Sequence, residues 1–346
     1  MLLIDGSNLL HRCLHTEVAN LQDNRGRFTG GAHGFLSMIS SAVRKHSLKH
    51  SVIVAWDLGI PLFRRRLYSE YKPNKMPIGS VNETLLSEMN KLGKEGDEAK
   101  DEWLDKYLMS RRLLHGQFLP LSGCLSIQVE NCEADDIIAF VCRKLKDKEI
   151  IIFSSDMDLV QCLSKDIIFY DGNKDETIDV DNLITKHNLV RENWRYHWLL
   201  TRAICGDNSD GIPGFCGFET AKKYSDQLIY LESESGGCLN FEDALKSLGR
   251  PHGARIAGYE KLKSGKDDVL RNYNLMNLEY PFYKNDPIID NIKKEIASAF
   301  IYDIDQHGLE SQLHDLGMFK AKVFADYIVQ SNRQDETKNY LRELAK

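Results

Sequence analysis

"SVIVAWD" (51–57) decides the fold. An apolar, β-branched run closed by Asp57 has the composition and length of a strand buried on both faces. Two further runs repeat the arrangement. "MLLID" (1–5) stops at Asp5, and "EIIIFSSDMD" (149–158) is followed by Asp156 and Asp158. A fourth run, "DIIFYDG" (166–172), ends in a D-G pair, where Asp171 reads as turn chemistry. Between the first two, "GAHGFLSMISSAVRKH" (31–46) places apolar residues at 35, 36, 39 and 43, a helical period. Continuous apolar strands separated by helices predict a parallel sheet covered on both faces. The C-terminal ends of such strands share one edge, where ligands of open α/β sheets bind. Asp5, Asp57, Asp156 and Asp158, far apart in the chain, are expected to converge there.

The remaining composition bounds the reading. The 346 residues are 42% hydrophobic and 28% charged, an ordinary globular balance, and the length suggests about two domains. No apolar run approaches the roughly 18 residues that span a bilayer. The opening "MLLIDGSNLL" lacks a basic n-region and meets Asp5, unlike a signal peptide. Eight scattered cysteines without a CxxC pair argue against zinc and for reduced thiols in a cytoplasm. A net charge of −6 argues on its face against a polyanionic partner. Yet "FRRRLYSEYKPNK" (63–75), "RR" (111–112), "KK" (222–223) and "KLKSGK" (261–266) are locally basic. There is no internal repeat. Residues 72–115, charged and containing Pro73 and Pro77, interrupt the α/β alternation and read as a mobile helical insertion. The chain is therefore expected to divide into an α/β catalytic domain over 1–205, carrying that insertion, and a helical region over 206–346.

Within "CEADDII" (132–138), Glu133, Asp135 and Asp136 precede an apolar helical face. Two unit charges about 4 Å apart cost roughly 4 kcal/mol at an effective dielectric near 20. First-turn acids complement a helix dipole, which is the bland explanation. Three in four positions, facing an edge that already holds strand-end aspartates, argue for more. "GDNSDGIPG" (206–214) adds Asp207 and Asp210, which alone read as an Asx turn. Nine carboxylates without His or Cys suit hard divalent cations, and cations between them relieve the repulsion. Magnesium takes few direct carboxylates, so nine point to two ions with some acids acting through water. Two ions about 4 Å apart can activate water and stabilise the leaving oxygen of a phosphodiester. Setting the nine acids aside turns −6 into +3, so the acidic balance does not exclude DNA.

Cations lie beside these acids. Arg66, with Arg64 and Arg65, reads either as a solvated helix face or as a phosphate contact; Lys72 is a candidate to stabilise transition-state charge. Tyr71 reads as packing or as a base-stacking platform. In "GIPGFCGFETAKKY" (211–224), Gly214 and Gly217 let backbone amides approach phosphate. Thr220 enters a helix, and Lys222 and Lys223 add charge.

"LLIDGSNLLHR", "FRRRLYSEYKPNK", "CEADD", "SSDMDL" and "GDNSDGIPG", in this order over about residues 1–230, together resemble the flap endonuclease/5′→3′ exonuclease family. That family includes the 5′-nuclease domains of bacterial DNA polymerase I and phage-encoded 5′ nucleases. The resemblance implies a PIN-like α/β domain, a mostly parallel sheet flanked by helices. It also implies a helical arch and a helix–two-turn–helix element at about 206–230. Two magnesium ions are implied per active site, with manganese able to substitute. The implied activity is cleavage of DNA or RNA–DNA primer hybrids at 5′ flaps, nicks or 5′ ends during phage replication. The implied setting is a monomer in the host cytoplasm, away from membranes, meeting replication proteins such as single-strand binding protein. By motif position, Asp5, Asp57, Glu133, Asp135 and Asp136 look like one ion's shell. Asp156, Asp158, Asp207 and Asp210 look like the other's. Tyr71 and Lys72 match the base of the arch, and Lys75 a further basic position on it. Residues 211–224 match the duplex-gripping element, which in the family often holds potassium. The chain departs from the pattern at Phe218, where the second turn usually has another glycine. Two competing readings are a PIN-type ribonuclease acting on single-stranded RNA and a catalytically dead nucleic-acid-binding protein. The duplex-gripping element disfavours the first; the second predicts missing acids, and none of the nine is missing.

Overall fold

The computed structural model describes residues 1–46, 51–72, 98–235, 241–299, 303–331 and 334–345. Six strands form one sheet: β1 (Leu2–Asp5), β2 (Val52–Trp56), β3 (Leu125–Gln128), β4 (Ile150–Phe153), β5 (Ile167–Asp171) and β6 (Glu176–Ile178). Their order is β3-β2-β1-β4-β5-β6. Every neighbouring pair is parallel except β5 and β6. β1 and β2 are buried at every position, which explains their unbroken apolar sequence. β3 sits at the edge with alternating burial, so its "LSIQ" carries no continuous run and escapes a search for buried strands. β6 follows the turn at Asp171, whose carboxylate accepts from the Asn173 amide at 2.9 Å. Asp171 is thus a turn residue, as expected.

The chain gathers into two compact units, the described parts of Met1–Gly59, Pro77–Asp179 and Pro287–Lys346, and those of Ile60–Met76 and Val180–Asp286. These are not the 1–205 and 206–346 blocks suggested by the change in sequence texture. The reason is packing. Leu9, Phe35, Ile39, Val54 and Trp56 share one core with Leu309, Leu313, Ala321 and Ile328. The helix Ala321–Ser331 lies on the helix Gly30–Lys45. The late helices therefore cover the sheet instead of building a separate core.

The insertion expected over 72–115 is also corrected in part. From Glu98 to Leu113 the chain is a helix, and its Tyr107 and Leu113 belong to the sheet's core. Lys75 and the rest of 73–97 lie outside the described residues.

The second unit is helical, with Leu200, Ile204, Tyr224, Leu228, Leu245 and Leu262 at its centre. Its helix Leu62–Leu67 splits the arginine triplet. Arg64 is buried, and its Nε donates to the Leu275 carbonyl at 3.1 Å, while Arg65 and Arg66 are exposed. Among the described residues, no helix is long and apolar enough to cross a membrane.

Candidate functional site

Three adjacent parallel strands, β2, β1 and β4, deliver acids to one edge. Asp5 closes β1, Asp57 follows β2 directly, and Asp156 stands three residues beyond β4. With strands about 4.8 Å apart, the three strand ends span roughly 10 Å. The Asp5 carboxylate is buried and accepts from the Asn8 amide (3.0 Å) and the Ser154 hydroxyl (3.0 Å). Ser154 Oγ also accepts from the Asp156 amide (3.0 Å), and Asp156 Oδ1 from the Asp158 amide (2.8 Å). Asn8 Oδ1 in turn accepts from the Ser155 amide and hydroxyl. One hydrogen-bonded web thus ties the start of the first helix to the loop carrying Asp156 and Asp158.

The acid helix Ala134–Lys144 reaches the same edge through a two-way backbone bridge between Leu58 and Cys132. This sets the Ala134 amide 2.8 Å from Asp57 Oδ1. Glu133 and Asp136 are both buried and form a reciprocal capping box, with the Glu133 amide donating to Asp136 at 3.3 Å. Asp135 is half-buried. The bland role of first-turn acids is therefore real, and it coexists with a carboxylate-lined edge. Behind it, buried Arg111 donates to the Asp57 carbonyl (2.7 Å) and to Gln128 (3.0 Å). Sequence patterning missed Asn8, Ser154 and Arg111. The first two flank site acids in "DGSN" and "SSD", which was the available signal; Arg111 was legible only as half of the basic pair "RR" (111–112), with nothing to say that it is buried behind Asp57.

Among the described residues, no group of three or more His, Cys, Asp or Glu side chains is close enough to grip an ion. The acids of this edge turn toward amides and hydroxyls instead, which is how crowded carboxylates lower their mutual repulsion. The donor set itself, oxygen-only with three buried carboxylates at one sheet edge, fits a hard divalent cation.

The second unit places Asp207 and Asp210 in the turn after the helix Trp194–Cys205. Asp207 forms the Asx turn, accepting from the Ser209 amide (2.8 Å) and from the Ser209 hydroxyl, and it pairs with Arg202 at 2.7 Å. Burial pushes its carboxyl up, but the Ser209 hydroxyl and Arg202 outweigh that and hold it below the usual range. Asp210 holds Tyr71 and Lys72. The Lys72 amide donates to its carbonyl (2.8 Å), Lys72 Nζ lies 3.2 Å from Oδ1, and the Tyr71 hydroxyl donates to Oδ2 (3.1 Å). Lys72 does this from a left-handed backbone, φ +48°, which is uncommon for a residue with a Cβ. Tyr71 is 3% exposed, in a cluster with Leu199, Ile212 and Leu275. Its ring is packing, so the base-stacking reading is withdrawn.

The hairpin between helices Trp194–Cys205 and Phe218–Glu234 depends on close backbone approach at Gly206 and Gly214. A Cβ at Gly214 would lie 1.7 Å from the Cys205 carbonyl oxygen, and Gly206 adopts φ +74° against the Gly214 backbone. Gly214→Ala is expected to cost about 3 kcal/mol or more of stability. Urea denaturation checks this, and an unchanged midpoint would refute the packing argument. Gly217 differs: a Cβ there meets nothing, and its place ahead of the helix is open. Thr220 and Lys222 are half-buried, and Lys222 pairs with Asp226; Lys223 is exposed. Phe218 fills the glycine's usual place for a packing reason, edge-on to His187 and tilted against Trp198.

An open α/β sheet with a carboxylate-lined C-terminal edge, flanked by helices, is thus the class of protein. A family model described as "5′-3′ exonuclease, N-terminal resolvase-like domain" matches residues 1–188, just over half of the chain. The chain belongs to that 5′→3′ exonuclease family. It is 23% identical over 312 residues to a 5′-3′ exonuclease of Buchnera aphidicola subsp. Acyrthosiphon pisum, covering 88% of this chain and 95% of that one. It is 26% identical to the thermostable DNA polymerase I of Thermus aquaticus over 93% of this chain, but spans only 33% of the polymerase. In fold it is similar to T5 5′-exonuclease with bound zinc, at 18% identity and TM-score 0.57, covering 95% of this chain and 98% of the other. It is likewise similar to the bacteriophage T5 D15 flap endonuclease with DNA and metal ions, at 19% identity, TM-score 0.56 and 94% and 98% coverage.

Proposed function

We propose that this chain is a divalent-metal-dependent, structure-specific 5′ nuclease acting on DNA with a 5′ flap, nick or 5′ end, RNA–DNA primer hybrids included. The observation that carries the proposal is the convergence of Asp5, Asp57 and Asp156 on one edge from three adjacent parallel strands, in a chain of this family. Asp5, Asp57, Glu133, Asp135, Asp136, Asp156 and Asp158 are the proposed ion-holding acids of the first unit. Asp207 and Asp210 are proposed on motif position. Magnesium is the proposed resident ion, with manganese as a substitute and potassium at the helix–two-turn–helix element, about 206–230. Two divalent ions bound by such acids supply an activated water and a stabilised leaving oxygen. The chain's own part is to fix carboxylate orientation and to present cations to the phosphate. Ser154 orients Asp5 and the Asp156 loop together. Exposed Arg66 and the Asp210-held Lys72 carry charge suited to a phosphodiester. Gly214, Gly217, Thr220, Lys222 and Lys223 are proposed duplex contacts.

The test is a cleavage assay on flap, nicked and blunt duplexes labelled at either end, with and without magnesium. Magnesium-dependent cutting at the flap junction or nick supports the proposal. Cutting confined to single-stranded RNA, or none, overturns it. A subtler expectation concerns Ser154→Ala. Removing the shared hydroxyl should raise the magnesium concentration for half-maximal cleavage about 10-fold or more, as loss of a ligand-orienting partner does. Flap binding in calcium should hold. An unchanged magnesium requirement would show that the hydroxyl is mere packing.

A further inference from the structure

A cavity of about 850 Å³ opens in the first unit, and none of the nine acids lines it. It is formed by the loop carrying Arg25 and Arg27, the end of the helix Glu98–Leu113 with Arg112, and the residues around the helix Gln306–Asp315. Its charge is lopsided: three arginines face one carboxylate, Asp315. The buried Asp23 carboxylate accepts from the Arg25 and Arg27 amides and pairs with the Arg27 side chain at 2.6 Å. No carboxylate ion pair within the described residues uses Arg25 or Arg112. The wall is thus locally basic in a chain of net −6.

Two other features indicate more than an anion. Phe319 lines the cavity at 63% exposure, with His314 edge-on to it at 5.1 Å between centroids. An exposed phenyl face beside arginines offers a flat ring a stacking surface. Gln312, at the wall of the cavity, holds a buried Oε1 without a hydrogen-bond partner among the described residues. Such an acceptor is normally satisfied, so a donor from a ligand would remove its desolvation penalty. The volume lies within the range of small-molecule sites.

Arginine forks for a phosphate, an aromatic face for a ring and an amide for a polar edge are the parts that recognise a nucleotide. We propose that this cavity is a second nucleotide-binding site, separate from the acid-lined edge, which holds a phosphate on Arg25 and Arg112 and stacks the attached base on Phe319. The same chemistry has two sources, a free mononucleotide and a nucleotide within a DNA strand.

The experiment uses the full chain in calcium at low salt. It measures 5′-dAMP and inorganic phosphate binding by calorimetry, and flap-duplex affinity by fluorescence anisotropy. The variants are Arg25→Ala/Arg112→Ala, Phe319→Ala and, as a charge control, Lys146→Ala/Lys165→Ala, each checked by thermal melting. The double arginine variant is expected to lose at least 10-fold in affinity for dAMP, the duplex or both. Phe319→Ala is expected to lose severalfold for the same ligand while phosphate binding is unchanged. The lysine control should lose no more than the nonspecific share. Loss for dAMP alone identifies a free nucleotide as the ligand; loss for the duplex identifies a strand. If neither ligand is weakened beyond the lysine control, or if Phe319→Ala has no effect on either, the proposal fails.

Discussion

Replacing Asp156 by asparagine is expected to slow single-turnover cleavage of a 5′-flap duplex roughly a thousandfold or more, while flap binding in calcium survives. The substitution is unusually clean. Asp156 Oδ1 accepts from the Asp158 amide at 2.8 Å, and the asparagine oxygen can accept in the same way. The loop can therefore keep that hydrogen bond while the negative charge is lost and the other carboxylate oxygen becomes an amide donor. On the proposed function, a metal at this edge would contribute several kcal/mol of charge stabilisation, and each 1.4 kcal/mol is about tenfold in rate. A folded variant that cuts at near the parent rate would remove Asp156 from the reaction, and with it the assignment of the edge.

The second large effect is expected at Lys72. Lys72→Ala should reduce the single-turnover rate about a hundredfold or more, with only a few-fold loss of flap affinity, as removal of one preorganised donor does. A structural explanation competes with this, because Nζ pairs with Asp210 at 3.2 Å. The magnitudes separate the two. Alanine and lysine meet the same difficulty at φ +48°, so the backbone is no worse off. The pair is partly solvated, with the side chains 14% and 25% exposed, and its net worth is about 1 kcal/mol. A melting temperature a few degrees lower with an unchanged rate would mean that Lys72 only braces the turn. A large rate loss in a protein of near-normal stability would mean that it acts on the substrate.

The legible part of the fold was the part under two-sided burial. β1, β2 and β4 had to be apolar throughout, so they announced themselves and carried Asp5, Asp57 and Asp156 with them. β3 did not, because an edge strand needs apolar residues on one face only. The unit boundary was hidden for a related reason. The helices from Gln306 to Ser331 have ordinary amphipathic sequences, and nothing in one amphipathic face names its partner. At the site, residue types were readable and their attachments were not. Glu133 and Asp136 serve the helix start and Asp207 builds a turn, local contacts two or three residues apart, whereas Tyr71 is a buried ring because of Leu199, Ile212 and Leu275, more than a hundred positions away. The arginine triplet shows the limit well. Three identical residues in a row divide into one buried donor and two exposed cations, because a helix turns each by about 100°.

The return of residues 287–331 onto the first sheet has a consequence for biosynthesis. A ribosome delivers β1 to β6 first, then roughly a hundred residues of another compact unit, and only afterwards the helices that share the sheet's core. At 5–20 residues per second, that interval is about 5–20 s. During it the helix Gly30–Lys45 leaves Phe35, Ile39 and their neighbours without the late helices that complete their core. The packing of the first unit is finished only when translation is well advanced.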